Sequence, residues 1–258
     1  MLPPGFAEVF LLLAGLAVGS FLNVCIHRLP LKQSVVHPGS RCPSCGYELR
    51  WYDNLPVLSY VFLRGRCRSC RKGISLQYPV IEVVTAVMFL AHWYAFGPTA
   101  LLAARLVFGC ALIVLFMIDL EHQILPNAIT LPGIVVGLAF SVVAPPGPFD
   151  ALVGTVLGGG VLYGIAFAYY LWRKEEGMGM GDVKMLAMIG AFLGWQAVLV
   201  TLVLSSFAGA VIGVLMMIGQ RGTMRYALPF GTFLSLGALA AMLVGERLVH
   251  WYMAFFPV

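Results

Sequence analysis

Charge is what this 258-residue sequence has least of. Eleven acidic and 16 basic residues make up 10% of the chain, 60% of it is hydrophobic, and the mean hydropathy is +0.92. Soluble domains carry about 25% charged residues. A chain this apolar cannot cover itself with polar surface, which excludes a water-soluble globular class and leaves a polytopic membrane protein. Basic residues are absent before Arg28, and no small-residue cleavage site follows the first apolar run, so that run reads as a retained span rather than a signal peptide. They are absent again near 97–98, 146–150 and 195.

What is present is a series of apolar runs approaching the roughly 20 residues that cross about 30 Å of hydrocarbon. They fall at 5–26, 79–96, 99–118, 127–145, 151–172 and 227–248. The run 183–219 is too long for one span, and Gly190 and the Gly194-Trp195 step invite a break, giving a short helix 182–194 and a longer one 196–219. The expectation is an all-α polytopic protein of about eight transmembrane helices, with Trp251 and Tyr252 at the last interface. Cytoplasmic loops are enriched in Lys and Arg. Nine of the 16 lie between Arg28 and Lys72, and Arg173, Lys174, Arg221 and Arg225 fall on the same side by alternation, which predicts a periplasmic N-terminus. The loops without basic residues are then the outer ones. This topology also accounts for a pI near 9.0. The basic residues lack the interleaved aromatic platform of a strand-binding groove, so the bilayer is an expected partner and nucleic acid is not.

The one sizeable soluble piece, 28–78, holds Cys42, Cys45, Cys67 and Cys70 as two C-x-x-C pairs separated by 21 residues. Two thiolates per tight turn, brought together by a hairpin, build a tetrahedral four-cysteine site. A pair of redox disulfides is the competing reading, disfavoured in a reducing cytoplasm. The expected ion is zinc, and with four protein ligands it has no open position and is structural. The expected organisation is a first transmembrane helix over 1–27, a small cytoplasmic zinc-binding domain over 28–78 and a transmembrane domain over 79–258. Cys25 and Cys110 lie within spans and read as small buried hydrophobes.

An ionised Asp at the centre of a span costs roughly 2.5 to 3.5 kcal/mol on insertion scales, so acids placed there usually serve a site or a pathway. Asp119 closes the third run in "LFMIDLEHQILPN" and Asp182 opens the sixth in "GMGMGD", at one membrane face by alternation. Two carboxyls that share a proton and a water form the arrangement of an aspartic protease. Gly179 and Gly181 are expected to give the backbone unusual dihedrals and let it lie along an extended substrate. On the residues alone, alternatives stay open. Asp182 is equally a helix N-cap, Asp119 a solvated interfacial acid with Glu121 as an equal candidate, and the pair either coupling acids of a transporter or incidental to a zinc-binding scaffold.

The stretches "GSFLNVCIHRLP" at 19–30, "WYDNLPVLSY" at 51–60, the two C-x-x-C pairs, "IDLEHQILPN" at 118–127 and "GMGDVKMLAMIGAFLGW" at 179–195 resemble the bacterial type IV prepilin peptidases over nearly the whole chain. The G-x-G-D stretch is similar to that of other intramembrane aspartyl proteases. The resemblance implies an aspartic endopeptidase of the bacterial inner membrane. Such an enzyme removes the short basic leader of prepilins or type II secretion pseudopilins at the cytoplasmic face, with Asp119 and Asp182 as the catalytic residues. It also implies N-methylation of the new N-terminal residue from S-adenosylmethionine, for which no G-x-G-x-x-G turn gives independent support. Glu82, in "GISLQYPVIE", matches the family's acidic position and is the candidate for methyl transfer, a first-turn helix cap being the alternative. Gln77 stands where the family usually has Arg. Lys184 is a candidate for substrate contact, against simple snorkelling to the interface. Asn23 and His27 read as interhelical hydrogen-bonding residues, and Gly154, the glycines at 158–160 and Gly164 as places of close helix approach.

Overall fold

A computed structural model describes residues 5–175, 178–219 and 229–255. Its helices, in chain order, are α1 (Phe6–Arg28), α2 (Leu58–Phe62), α3 (Gln77–Phe96), α4 (Ala100–His122), α5 (Asn127–Ser141), α6 (Pro148–Arg173), α7 (Met180–Leu193), α8 (Trp195–Gly219) and α9 (Phe230–Met253), with a single 3-10 turn at Trp51–Asn54. The break expected near Gly194 is there. Gly194 has φ +82°, a left-handed conformation in which glycine meets no Cβ penalty, so α7 stops and α8 sets off in a new direction.

Eight apolar helices occupy the eight expected runs, and lengths separate them. The helices α1, α3, α4, α6 and α8 are long and apolar enough to cross a membrane, and α9 makes a sixth if Phe230–Gly245 and Arg247–Met253, which meet at 72°, count as one span. By contrast α5 and α7 have 15 and 14 residues, about 22 and 21 Å at 1.5 Å per residue, short of a hydrocarbon core of about 30 Å. Five helices, or six with the bent pair, therefore have the length of a full span, and length does not confirm the count of eight. Arg221 and Arg225, used above for orientation, lie outside the described residues.

The chain forms two compact units, Met1–Leu102 and Ala103–Val258. In the first, α1 packs on α3 through two glycines four residues apart. A Cβ on Gly15 would stand 2.6 Å from the Ala86 Cα, and one on Gly19 would stand 2.6 Å from the Glu82 Cα. This is the small-x-x-x-small pattern by which membrane helices bring backbones together. The loop between α1 and α3 repeats one turn twice. Cys42 N–H donates to Tyr47 O and Cys67 N–H to Lys72 O, both at 2.9 Å, and each turn closes on a left-handed residue, Gly46 (φ +70°) or Arg71 (φ +61°). The buried Asp53 carboxylate joins them, accepting from Arg68 Nε at 2.6 Å and from Tyr47 Oη and Arg50 N–H at 3.3 Å each.

In the second unit α7 is the centre. Every residue from Met185 to Gly194 is buried, as suits a helix that is apolar all round, and α5, α6, α8 and α9 pack against it. Gly154 and Gly158 of α6 lie on the backbone of Gly190 and Leu186, Gly133 and Gly137 of α5 receive Met188 and Phe192, and Phe108 of α4 stacks on Phe192 with ring centroids 4.7 Å apart. The expectation for the α6 glycines holds for those two. Gly160 and Gly164 face nothing within 4 Å.

Candidate functional site

Asp119 lies one turn before the end of α4 and is 4% exposed. Glu121 is on the solvent side, 3.9 Å from His122 Nε2. Residues two apart on a helix point about 200° from one another, so only one of the two acids can face the interior, and it is Asp119. Its Oδ2 accepts the backbone N–H of Thr232 at 2.6 Å and the Thr232 hydroxyl at 3.1 Å, both from the first turn of α9.

Asp182 is the third residue of α7. Gly179 is the N-cap and no side chain caps the helix, while the Asp182 N–H bonds back to Gly179 O at 3.1 Å. The N-cap reading of Asp182 therefore fails. The acid is partly buried and within electrostatic reach of Asp119. Leu125, in the loop from α4 to α5, ties the two helix starts to the end of α4. A Cβ on Gly181 would stand 2.9 Å from the Leu125 Cβ, and one on Gly231 would stand 2.9 Å from the Leu125 Cδ1 and 3.0 Å from Asp119 Oδ2. The unusual dihedrals expected of the two glycines are not found. Gly179 is ordinary extended backbone (φ −69°, ψ 134°), and Gly181 lies in the helix. Gly181 is small because Leu125 comes so close. Lys184 Nζ donates to Asn127 Oδ1 at 2.9 Å, an anchor between α7 and α5.

The first unit holds the cysteines. The four Sγ atoms of Cys42, Cys45, Cys67 and Cys70 lie within 4.8 Å of one another, with Cys42–Cys70 at 3.9 Å and Cys45–Cys67 at 4.0 Å, and all are free thiols. Sulfurs around a tetrahedral thiolate-bound cation, each about 2.3 Å from it, stand about 3.8 Å apart, so the donor set fits a metal ion. A hydrogen bond from the Lys72 backbone favours the Cys70 thiolate, yet desolvation and the thiols of Cys45, Cys67 and Cys42 push its pKa up to about 11. A bound cation reverses that balance, because coordination deprotonates a thiol outright.

Beside the cysteine turns is a cleft of about 460 Å³, lined among others by Asn23, His27, Tyr78 and Glu82. Glu82 is the sixth residue of α3, beyond its first turn, and its Oε2 accepts the Val57 N–H at 2.7 Å. It fastens the loop to α3 and is not a cap. Asn23 Nδ2 donates to Gly19 O at 3.2 Å and Tyr78 O at 3.1 Å, the interhelical role expected of it.

Thr232, Leu125 and Asp53 are prominent here and were not singled out by sequence. Leu125 sits inside the quoted "IDLEHQILPN", and Asp53 inside "WYDNLPVLSY". Thr232 carries no signal in a single sequence, since its partner is 113 residues away.

Residues 13–96 match the family described as the bacterial peptidase A24 N-terminal domain, and residues 106–214 match the type IV leader peptidase family. Among curated relatives, the prepilin leader peptidase/N-methyltransferase of Myxococcus xanthus is 46% identical over 224 residues, 85% of this chain and 66% of that protein. Those of Pseudomonas aeruginosa and Aeromonas salmonicida are 37% and 34% identical, covering 95% and 96% of this chain and 92% and 94% of the relatives. No solved structure matches the chain.

Proposed function

Because this chain belongs to the type IV leader peptidase family, we propose that Asp119 and Asp182 are the catalytic pair with which it removes the leader from type IV prepilins or type II secretion pseudopilins. The enzyme is bifunctional, a leader peptidase and an N-methyltransferase. It is a multi-pass membrane protein. The concentration of Lys and Arg in the cysteine-bearing loop supports a periplasmic N-terminus and an active site at the cytoplasmic face of the inner membrane.

The observation that carries the peptidase reading is the meeting of a buried Asp119 and a partly buried Asp182 where α4 ends and α7 begins. Like charges this close cannot both ionise easily, so one carboxyl keeps its proton. The ionised partner takes a proton from water as the water oxygen bonds to the scissile carbonyl carbon, and the protonated partner gives its proton to the carbonyl oxygen. In breakdown, the first carboxyl passes its new proton to the leaving nitrogen. The C–N bond breaks and the second recovers a proton from the diol.

In the first unit the four cysteines hold Zn²⁺ as a structural ion, closed to substrate. The cleft at Glu82 is the place for S-adenosylmethionine, whose sulfonium centre supplies the methyl group. A carboxylate in a cleft of that volume suits a cationic donor. Gly179 borders the peptidase substrate, and Lys184, which spends one of its three N–H donors on Asn127, contacts it with the others.

Purified enzyme in detergent should cleave a prepilin, and Asp119→Asn and Asp182→Asn should each abolish cleavage with helix content unchanged. General acid and base steps are worth about 10² to 10⁴ each, and the pair acts as a unit, so the double variant should be no worse than either single one. Near-normal cleavage by either variant would remove that aspartate from the mechanism.

A further inference from the structure

The two carboxyls have different surroundings. Oδ2 of Asp119 accepts two hydrogen bonds from Thr232, from the backbone N–H at 2.6 Å and from the hydroxyl at 3.1 Å. The carboxyl stands at the N-terminal end of α9, where helix amides point toward negative charge. Gly231, directly ahead of Thr232, leaves room for this approach, since a Cβ there would stand 3.0 Å from the same oxygen. Asp182 also stands at a helix start, in the first turn of α7, so the contrast between the two acids lies in their donors. None of the described residues donates a hydrogen bond to its side chain, and the charge that acts on it is Asp119.

Donors directed at a carboxyl favour its ionised form, whereas an acid without donors beside a negative charge retains its proton. Among the described residues, the other charged groups near the pair are engaged elsewhere. Lys184 of α7 is bonded to Asn127 of α5, and Glu121 and His122 of α4 are exposed and lie 3.9 Å from each other. From α9 the facing group is the neutral Thr232, and from α7 it is Asp182.

We infer that Thr232 is a positioning residue that holds Asp119 as the ionised general base through Oδ2, leaving Oδ1 to take the proton from water, and that Asp182 is the protonated partner that gives its proton to the scissile carbonyl oxygen. This assignment rests on the peptidase reading above and adds to it which acid does which task.

The test is the pH dependence of kcat/KM for prepilin cleavage by the purified full-length enzyme, whose acid and alkaline limbs report the base and the acid respectively. Thr232→Val removes one donor from the ionised Asp119 and keeps the side chain's shape. A hydrogen bond to a charged group is worth about one pH unit or more, and its loss makes the base easier to protonate. The acid limb should therefore move to higher pH by about one unit while the alkaline limb stays. Thr232→Ser, which keeps the hydroxyl, should return the limb to its original position. If Thr232→Val does not fold, Thr232→Cys, with a weaker donor, should give a smaller shift in the same direction. An acid limb that stays in place, or an alkaline limb that moves instead, overturns the assignment. Asp119→Asn in the same assay separates the two failures: an inactive Asp119→Asn with an unmoved limb sinks only the inference, whereas an active one sinks the peptidase reading itself.

Discussion

Whether an acid in this sequence belongs to a site depends on which side of its helix it occupies, and a single sequence does not give that side. Asp119 and Glu121 are two positions apart, and resemblance favoured the first where spacing could not. Burial separates them physically, with Asp119 inside and Glu121 in solvent. Thr232 was out of reach of any local pattern because the contact that gives it meaning spans 113 positions. Glu82 shows the opposite case. Its place in a familiar stretch was legible, but its bond to the Val57 N–H at 2.7 Å was not. Glu82→Gln keeps an oxygen that can accept that N–H and removes the negative charge from the cleft. It should therefore impair methylation more than cleavage. Mass spectrometry of processed pilin should show a cut but unmethylated N-terminus, and an equal loss of both activities would refute a separate role in methyl transfer.

At the level of elements, the cysteine loop was the most legible part of the chain, because metal ligation depends on short spacings that sequence preserves. The repetition of one turn is visible only in three dimensions, since Gly46 and Arg71 occupy the same left-handed position with unrelated side chains. Neither turn alone offers more than two thiols. Metal binding in such small domains supplies folding free energy on the order of 10 kcal/mol. Elemental analysis of protein purified without chelator should find one zinc per chain. Cys67→Ser should lose most of it and lower both activities, though the two aspartates proposed as catalytic remain. Wild-type protein with less than half an equivalent of zinc would count against the site. The transmembrane elements were legible as runs and less so as spans. Gly194 ended α7 where expected, but a run of apolar letters does not say whether its helix faces lipid or protein. That distinction sets the length a helix needs, and so α7, buried from Met185 onward, can be shorter than a bilayer.

For the whole molecule, orientation is the expectation that composition carries best, because basic residues crowd one set of loops and avoid the other. Trp51 in the cysteine loop and Phe149 in the opposite set are almost equally exposed, at 78% and 77%. Cysteines placed there therefore differ in sidedness rather than in access. An impermeant thiol reagent should label Phe149→Cys in intact cells and Trp51→Cys only after the inner membrane is opened, and the reverse pattern would invert the topology. The enclosure of α7 by α5, α6, α8 and α9 has a consequence for how the enzyme meets its surroundings. Annular lipid touches the outer helices and sets their tilt as the membrane thickens or thins, but it does not reach residues 185–193 of α7, which are buried in protein. Glycine-lined protein contacts set the height of Asp182 instead, and on the peptidase reading proposed above this keeps the cutting depth constant while acyl chains change with growth temperature.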